Sequence, residues 1–168
     1  AKDGVRFTQH YSNGTECSPT RTALLTGRYP QWAGGLECAI GTGNVGRYDD
    51  AILLADRRQL GLPAEQVVLP GELKMAGYVT GIFGKWHLGY EPHFNPIEHG
   101  WDEFFGYLGG NVHYFNHRET SDMHVLFRGR LPVHSEGYMT HLITRSSTDF
   151  IARNKNKPFF LFVSHESP

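Results

Sequence analysis

The order of hydrophobic and polar residues predicts a loop-rich first part of the chain. Residues 17–27 predict a helix in which Ser18 is the N-cap and Gly27 is the left-handed stop. Residues 28–68 are mostly irregular, apart from a candidate short helix near residues 51–54. An irregular excursion of this length is typical of a lid or rim around a binding site.

The remainder of the chain predicts alternating helices and strands. A short helix over residues 70–76 precedes a strand over residues 78–83, and residues 126–131 predict a small hairpin. One face of a predicted helix over residues 138–154 is apolar, and residues 159–163 are apolar at every position. A short apolar run of this kind is typical of a strand buried on both faces of a parallel sheet. The pattern therefore predicts an α/β fold.

Composition narrows the class of protein. The 168 residues suffice for one domain, and 16 Lys and Arg against 17 Asp and Glu give a net charge of −1. That charge disfavours non-specific binding to nucleic acid, and the longest apolar run is too short to span a membrane. Two cysteines, Cys17 and Cys38, are too few for a disulfide framework and lack the spacing of a zinc module.

Cys17 lies at the start of the first predicted helix. The helix dipole and free backbone N–H groups favour a thiolate there and attract an anionic ligand. Arg21, about one turn later, lies on the same face, where its guanidinium is able to hold an oxyanion. For Cys17, the alternatives are an inert buried thiol or a disulfide with Cys38. For Arg21, the alternative is a solvated surface charge.

Lys85 and His87 follow the predicted strand over residues 78–83. Open α/β sheets bind ligands beyond the carboxyl ends of their strands. If the chain stays extended there, the two side chains point the same way, since they are two residues apart. A cation and an imidazole that converge on one ligand suit charge stabilisation and proton transfer. The alternative is an ordinary surface pair.

Two segments together resemble the signatures of the formylglycine-dependent sulfatases. Residues 17–21, Cys-Ser-Pro-Thr-Arg, and residues 25–28, Leu-Thr-Gly-Arg, resemble the first signature, Cys-x-Pro-x-Arg with a Leu-Thr-Gly element. Residues 84–89, Gly-Lys-Trp-His-Leu-Gly, resemble the second signature. The likeness extends over essentially the whole chain. Thr20 departs from the serine of many members but keeps a hydroxyl.

The resemblance implies a sulfuric ester hydrolase with a modified nucleophile. A formylglycine-generating enzyme would convert Cys17 to formylglycine, whose hydrate would attack the sulfur of a sulfate ester substrate. The same residue, Cys17 in this sequence, would ligate a divalent metal, most often Ca²⁺. Arg21 would hold the hydrated formylglycine, Lys85 would bridge it to a sulfate oxygen, and His87 would act as a base.

The resemblance also implies a fold and a cellular setting. The fold would be a mixed, largely parallel sheet between helices, similar to alkaline phosphatase. Residues 1–168 would be part of a single catalytic domain truncated at both ends, with the acidic metal ligands and a leaving-group histidine outside the chain. His165 is not given that role. No signal peptide is visible, and the family resemblance implies a periplasmic, secreted or lysosomal protein.

Two other functions remain open at this stage. One is a phosphonate or phosphodiester hydrolase that uses the same formylglycine. The other is a catalytically inactive sulfatase-like module in which Cys17 stays a thiol or pairs with Cys38. Residues 90–135 hold several histidines whose spacing does not match a zinc site. We expect them to be hydrogen-bonded residues of a cleft rim: His93, His99, His113, His117, His124 and His134.

Overall fold

A computed structural model of the chain describes residues 2–33, 36, 38–41, 49–119, 122 and 125–166. His124 lies outside these described residues. The helices in them are α1 (Cys17–Thr26), α2 (Asp49–Asp56), α3 (Leu69–Met75) and α4 (Met139–Asn154). The strands are β1 (Val79–Lys85), β2 (Glu103–Tyr107), β3 (Leu126–Arg128), β4 (Leu131–Pro132) and β5 (Phe159–Ser164). Short 3₁₀ turns occupy Pro30–Ala33, Pro92–Phe94 and Pro96–His99.

The strands form one mixed sheet in the order β4-β3-β2-β1-β5. The central strand β1 pairs in parallel with β2 on one side and with β5 on the other. The β3–β4 hairpin joins the outer edge of β2 in the antiparallel sense. The prediction of an α/β fold with a mixed sheet, parallel along its main strands, is confirmed.

Successive side chains along each strand point to opposite faces of the sheet, and a helix packs against the apolar side chains of each face. On one face, Ile82 of β1 packs in a cluster with Leu25 of α1. On the other face, the adjacent Phe83 packs in a second cluster with Phe150 of α4, ring centroids 5.6 Å apart. The carboxyl ends of β1, β2 and β5 therefore emerge together between two covered faces.

Several predicted elements are confirmed, and one cap is wrong. Helix α1 ends where expected, with Gly27 in the left-handed conformation at φ 68°. The hairpin, α4 and the short helices α2 and α3 also lie close to their predicted positions. Ser18 is not the N-cap, because α1 begins at Cys17 and the capping position is Glu16. The Ser18 hydroxyl is instead committed to contacts far away in sequence.

The sheet shows three further differences from the sequence-based expectation. Strand β1 continues two residues beyond the predicted end at residue 83 because residues 84 and 85 pair with β2. Strand β2 was not predicted, since it is short and contains a glycine, which disfavours a strand. Strand β5 is half-buried rather than buried on both faces, since it lies at the edge of the described sheet.

Glycines allow the three parallel strands to approach closely next to their carboxyl ends. A Cβ on Gly106 of β2 would lie 1.9 Å from the carbonyl oxygen of Gly84 in β1. A Cβ on Gly84, at φ 115°, would lie 2.0 Å from the carbonyl oxygen of Ser164 in β5. No side chain fits at either position, so backbone contacts alone fix how the three strand ends are spaced.

The buried His99 makes stability dependent on pH. His99 is 2% exposed, its ring packs against Trp86, and neither ring nitrogen has a hydrogen-bond partner among the described residues. Burial lowers the pKa of His99 from 6.5 to about 4, with the nearby Glu98 carboxylate opposing that shift. The unfolded chain therefore takes up the proton at higher pH than the folded one. The contribution of the neutral His99 ring to the free energy of unfolding is fully present above pH 6.5 and is lost as the pH falls toward 4.

We expect the free energy of unfolding of the wild type to fall by about 2 kcal/mol between pH 7.5 and pH 5 through His99 alone. Urea denaturation at both pH values measures the loss. His99→Phe keeps an aromatic ring and should remove this component, whereas the exposed His141→Phe should retain it. An equal pH dependence in wild type and His99→Phe would contradict the assignment.

Candidate active site

The N-terminus of α1 faces the carboxyl end of β1. Cys17, the first residue of α1, is exposed. Lys85, the last residue of β1, is only 7% exposed, and its Nζ donates a hydrogen bond to Cys17 Sγ at 3.0 Å. The side chain of residue 17 is thus open to solvent on one side and lies against an ammonium and a helix N-terminus on the other. Both features favour negative charge there.

Arg21 ties α1 to the ends of two strands. Its Nη1 donates to the carbonyl oxygen of Lys85 at 2.8 Å and to Ser164 Oγ at 2.7 Å. Burial lowers the pKa of Arg21, and the side chain lies close enough to Cys17 for the two to interact electrostatically. The interpretation of Arg21 as a solvated surface charge is therefore wrong.

The two cations at Cys17 have no acidic partner within the part of the chain that the structure describes. Neither Lys85 nor Arg21 forms an ion pair with a carboxylate of the described residues, and their hydrogen bonds go to sulfur, a carbonyl and a hydroxyl. An unpaired charge withdrawn from water is costly unless something compensates for it. The site is therefore complementary to an anion with several oxygens.

His87 is held by contacts on both its backbone and its ring. The Ser18 hydroxyl donates to the His87 carbonyl at 2.9 Å, and the His87 Nε2 is hydrogen-bonded to the carbonyl of Ile40. Since a carbonyl only accepts, Nε2 carries the proton of the neutral ring and Nδ1 carries the lone pair. Nδ1 is buried and has no partner among the described residues.

The environment keeps His87 uncharged. Burial lowers the pKa of His87 from 6.5 to about 4; the hydrogen bond to Ile40 opposes that shift, and the charges of Lys85 and Arg21 add to it. Near pH 7 the ring is therefore a neutral base with an available Nδ1 lone pair. His87 is 4% exposed, so the alternative of a surface Lys-His pair is wrong.

The route by which Lys85 and His87 reach α1 differs from the expectation. Lys85 lies within β1 rather than beyond it, and the backbone at His87 has φ 58° instead of staying extended. Lys85 reaches Cys17 through its ammonium, whereas His87 reaches the neighbouring Ser18 through its carbonyl oxygen. The four residues singled out from the sequence surround one helix N-terminus by different contacts.

Sequence reasoning missed the residues that join the strand ends. Ser164 accepts from Arg21, and Glu166 Oε2 accepts from the Tyr107 hydroxyl at 3.2 Å and from the Val112 backbone N–H at 3.1 Å. Their signal was weak: each is a polar group at or after the carboxyl end of a strand, where ligands collect in α/β sheets. Glu166 also lines an open cavity of about 450 Å³ together with Asn111, His113, Asn116 and Arg118.

The described residues do not by themselves make a metal site. No group of three or more His, Cys, Asp or Glu suited to a metal occurs among them. At Cys17 the neighbours are Lys85 and Arg21, which repel a cation, whereas Ca²⁺ requires six to eight oxygen ligands. Among the histidines of the 90–135 region, His113 Nδ1 accepts from the Phe115 N–H at 3.3 Å. The expectation of a hydrogen-bonded rim residue is wrong for His99, which is buried and has no ring hydrogen bond among the described residues.

The two cysteines are separate thiols. Cys17 is exposed and Cys38 is buried, and no disulfide joins them, so the structure does not contain the Cys17–Cys38 disulfide considered as an alternative. Within the described ranges, no helix combines the length and apolar character that a membrane span requires.

The fold and the site together define an α/β protein with a cationic centre at a helix N-terminus. The family model described as sulfatase matches residues 1–168, and the chain therefore belongs to the sulfatase family. It is 34% identical to N-acetylgalactosamine-6-sulfatase of Homo sapiens, over 96% of this chain and 32% of that protein. It is 29% identical to an arylsulfatase of Hemicentrotus pulcherrimus, over 98% of this chain and 30% of the other.

A solved structure agrees with this membership. The crystal structure of Ps i-CgsB in complex with k-i-k-neocarrahexaose superposes with a TM-score of 0.76 at 27% identity, covering 94% of this chain and 36% of that one. The chain thus spans about a third of the length of the relatives it matches. As a family, sulfatases use a metal and a formylglycine.

Proposed function

We propose that the whole protein hydrolyses sulfate esters, and that this chain supplies the nucleophile and the cationic part of its active site. The observation that carries the proposal is Cys17 at the start of α1, against the ammonium of Lys85 and beside Arg21, with no carboxylate paired to either cation among the described residues. A sulfate group is a tetrahedral anion that matches this excess of positive charge. Membership of the sulfatase family supports the same reaction.

The proposed nucleophile is formylglycine at residue 17. A formylglycine-generating enzyme converts Cys17, reading Pro19 and Arg21 in the sequence around it. The exposure of Cys17 is compatible with such a modification. Hydrated formylglycine would supply two hydroxyls on one carbon. One would lose its proton and bond to sulfur as the alcohol portion of the substrate leaves with a proton. Loss of a proton from the other would re-form the aldehyde and release sulfate, without a second attack on sulfur by water.

The chain's own residues have distinct roles in the proposal. Lys85 Nζ lies 3.0 Å from the side-chain atom of residue 17, so it stabilises negative charge on that group and on the sulfate. Arg21 orients the nucleophile and the anion with the edge of its guanidinium that is not bound to strands. His87 accepts a proton at Nδ1, the unprotonated nitrogen of its neutral ring.

Completion of the site requires parts of the protein other than this chain. We propose that residue 17, as formylglycine, is one ligand of a Ca²⁺ ion whose carboxylate ligands lie outside residues 1–168, in the same catalytic domain. The charges of Lys85 and Arg21 support this division, because a cation binds beside them only if several acidic groups join it. By family resemblance, the expected compartment is the periplasm, the extracellular space or the lysosome.

The cavity lined by Glu166 supports the proposal that the alcohol portion of the substrate carries hydroxyl groups. Its lining includes amide, guanidinium, imidazole and carboxylate groups that can exchange hydrogen bonds with hydroxyls, next to Val112 and Tyr114. Glu166 connects this cavity to Tyr107, whose hydroxyl interacts with Arg21 electrostatically. The name of one relative, N-acetylgalactosamine-6-sulfatase, refers to a sugar and agrees with this choice, whereas the name of the arylsulfatase does not.

Side-by-side assays test the proposed reaction. We expect the whole protein, produced together with a formylglycine-generating enzyme, to turn over an aryl sulfate and a sulfated monosaccharide with a higher kcat/KM than an aryl phosphodiester or phosphonate. Preferential turnover of the phosphorus substrates would favour the alternative hydrolase. Absence of turnover on every substrate, with formylglycine verified by mass spectrometry, would favour the inactive binding module.

A further inference from the structure

The contact between Arg21 and Ser164 joins groups that are 143 residues apart in sequence. Ser164 is 5% exposed and is the last residue of β5. Its Oγ accepts from Arg21 Nη1 at 2.7 Å, while the Lys85 carbonyl accepts from the same nitrogen at 2.8 Å. A terminal guanidinium nitrogen carries two hydrogens, so both N–H groups of Nη1 are occupied by the ends of adjacent strands.

This arrangement leaves one edge of the guanidinium available. Nη2 and Nε form no hydrogen bond with the described residues, since the hydrogen bonds of Arg21 are both made by Nη1. Two acceptors on one nitrogen fix the plane of the group and hence the direction in which its remaining N–H groups point. A planar fork of this kind binds an oxyanion in a bidentate way.

The chemistry of the acceptor also matters. A serine hydroxyl and a carbonyl orient the guanidinium without neutralising it, so its full positive charge remains for a ligand. A carboxylate in place of Ser164 would form an ion pair with Arg21 and compete with any anion. The sheet fixes the position of the hydroxyl, because Ser164 is in register with Gly84 and the two backbones leave no space for a Cβ on that glycine.

We propose that Ser164 is a positioning residue for Arg21, which orients the guanidinium toward the sulfate group without pairing its charge. The proposal rests on the anion-binding role of Arg21 in the proposed function. It assigns to Ser164 no contact with the reacting atoms.

A double-mutant cycle on the whole protein tests the proposal, with inorganic sulfate as the probe. We expect Ser164→Ala to weaken sulfate binding, measured by calorimetry, and to lower kcat/KM, each by about 10- to 100-fold, the size expected for a hydrogen bond to a charged group. In an Arg21→Ala background, Ser164→Ala should change sulfate affinity less than about twofold, since the group that it orients is absent.

Three further variants separate positioning from folding. Ser164→Thr keeps the hydroxyl and should restore most of the affinity, and Ser164→Asp should bind sulfate more weakly than Ser164→Ala because it neutralises Arg21. Ser147→Ala is the control, because it removes a buried hydroxyl that donates to the Ile143 carbonyl in α4. It should lower the melting temperature about as much as Ser164→Ala does and leave sulfate affinity unchanged.

The outcomes distinguish this inference from the proposed reaction. Wild-type affinity in a folded Ser164→Ala protein, or an equal loss in both backgrounds of the cycle, would overturn the positioning role even if sulfate esters are hydrolysed. The protein could also bind sulfate but hydrolyse no sulfate ester. If Ser164→Ala then weakens sulfate binding only when Arg21 is present, the positioning role is retained and the proposed reaction is overturned.

Discussion

The Cys17→Ala variant of the whole protein should lose turnover of sulfate esters by at least about 10⁴-fold, as expected when the attacking group itself is removed. In the proposed reaction, the nucleophile is built from the side chain of this residue. Folding should be unaffected, because Cys17 is exposed and, among the described residues, its side chain makes one hydrogen bond, with Lys85 Nζ. Steady-state kinetics and thermal unfolding on the same preparations measure both expectations.

A control with the native sequence shows whether the thiol or its oxidised product reacts. Protein produced without a converting enzyme keeps Cys17 as a thiol and should be as inactive as Cys17→Ala. Protein produced with the enzyme should carry an aldehyde on the peptide containing residue 17, detected by mass spectrometry and aldehyde-selective labelling. Full turnover by the thiol form would show that formylglycine is not required.

Lys85→Met should lower activity without lowering stability. The ammonium stabilises charge on the transferring group, and the loss of one such contact raises a barrier by about 2.7–4 kcal/mol, a fall in kcat of about 10²- to 10³-fold. The same ammonium is nearly buried and has no carboxylate partner among the described residues. Methionine has a similar length without the charge, so the melting temperature should stay the same or rise.

Lys74→Met is the matched control for this variant. Lys74 is half-exposed and forms an ion pair at 2.6 Å with Asp102, which is hydrogen-bonded to Thr80 at the other end of β1 from Lys85. Its replacement should leave turnover unchanged and lower stability slightly, since an exposed ion pair contributes about 1 kcal/mol or less. A Lys85→Met protein with near-normal turnover, or one inactive only because it is unfolded, would return Lys85 to a structural role.

Local sequence was sufficient where local interactions determine the structure. The left-handed Gly27 ends α1, and the apolar face of α4 is visible in its spacing. Non-local pairing determined the rest. The extension of β1 through Lys85 depends on partners in β2, and Ser18 has a hydroxyl suited to capping that is used by the His87 carbonyl instead.

The candidate site divides in the same way. Cys17, Arg21, Lys85 and His87 were found because two short segments carry recognisable residue types at fixed spacing. Ser164 was not found, since a serine after an apolar strand has no distinctive pattern and its contact with Arg21 spans most of the chain. The neutral state of His87 was equally hidden, because it results from burial and from a carbonyl in the loop at Ile40.

The close backbone contact at Gly84 and Gly106 restricts the scaffolds to which this site could be transferred. Lys85 directly follows Gly84, Tyr107 directly follows Gly106, and Ser164 is paired with Gly84. The distances between these three side chains therefore depend on a close approach of strands that only glycine permits. Grafting the reactive side chains onto another α/β scaffold would reproduce their identities but would separate the strands that carry them. A transplanted site would have to include this pair of glycines, which bear no functional group.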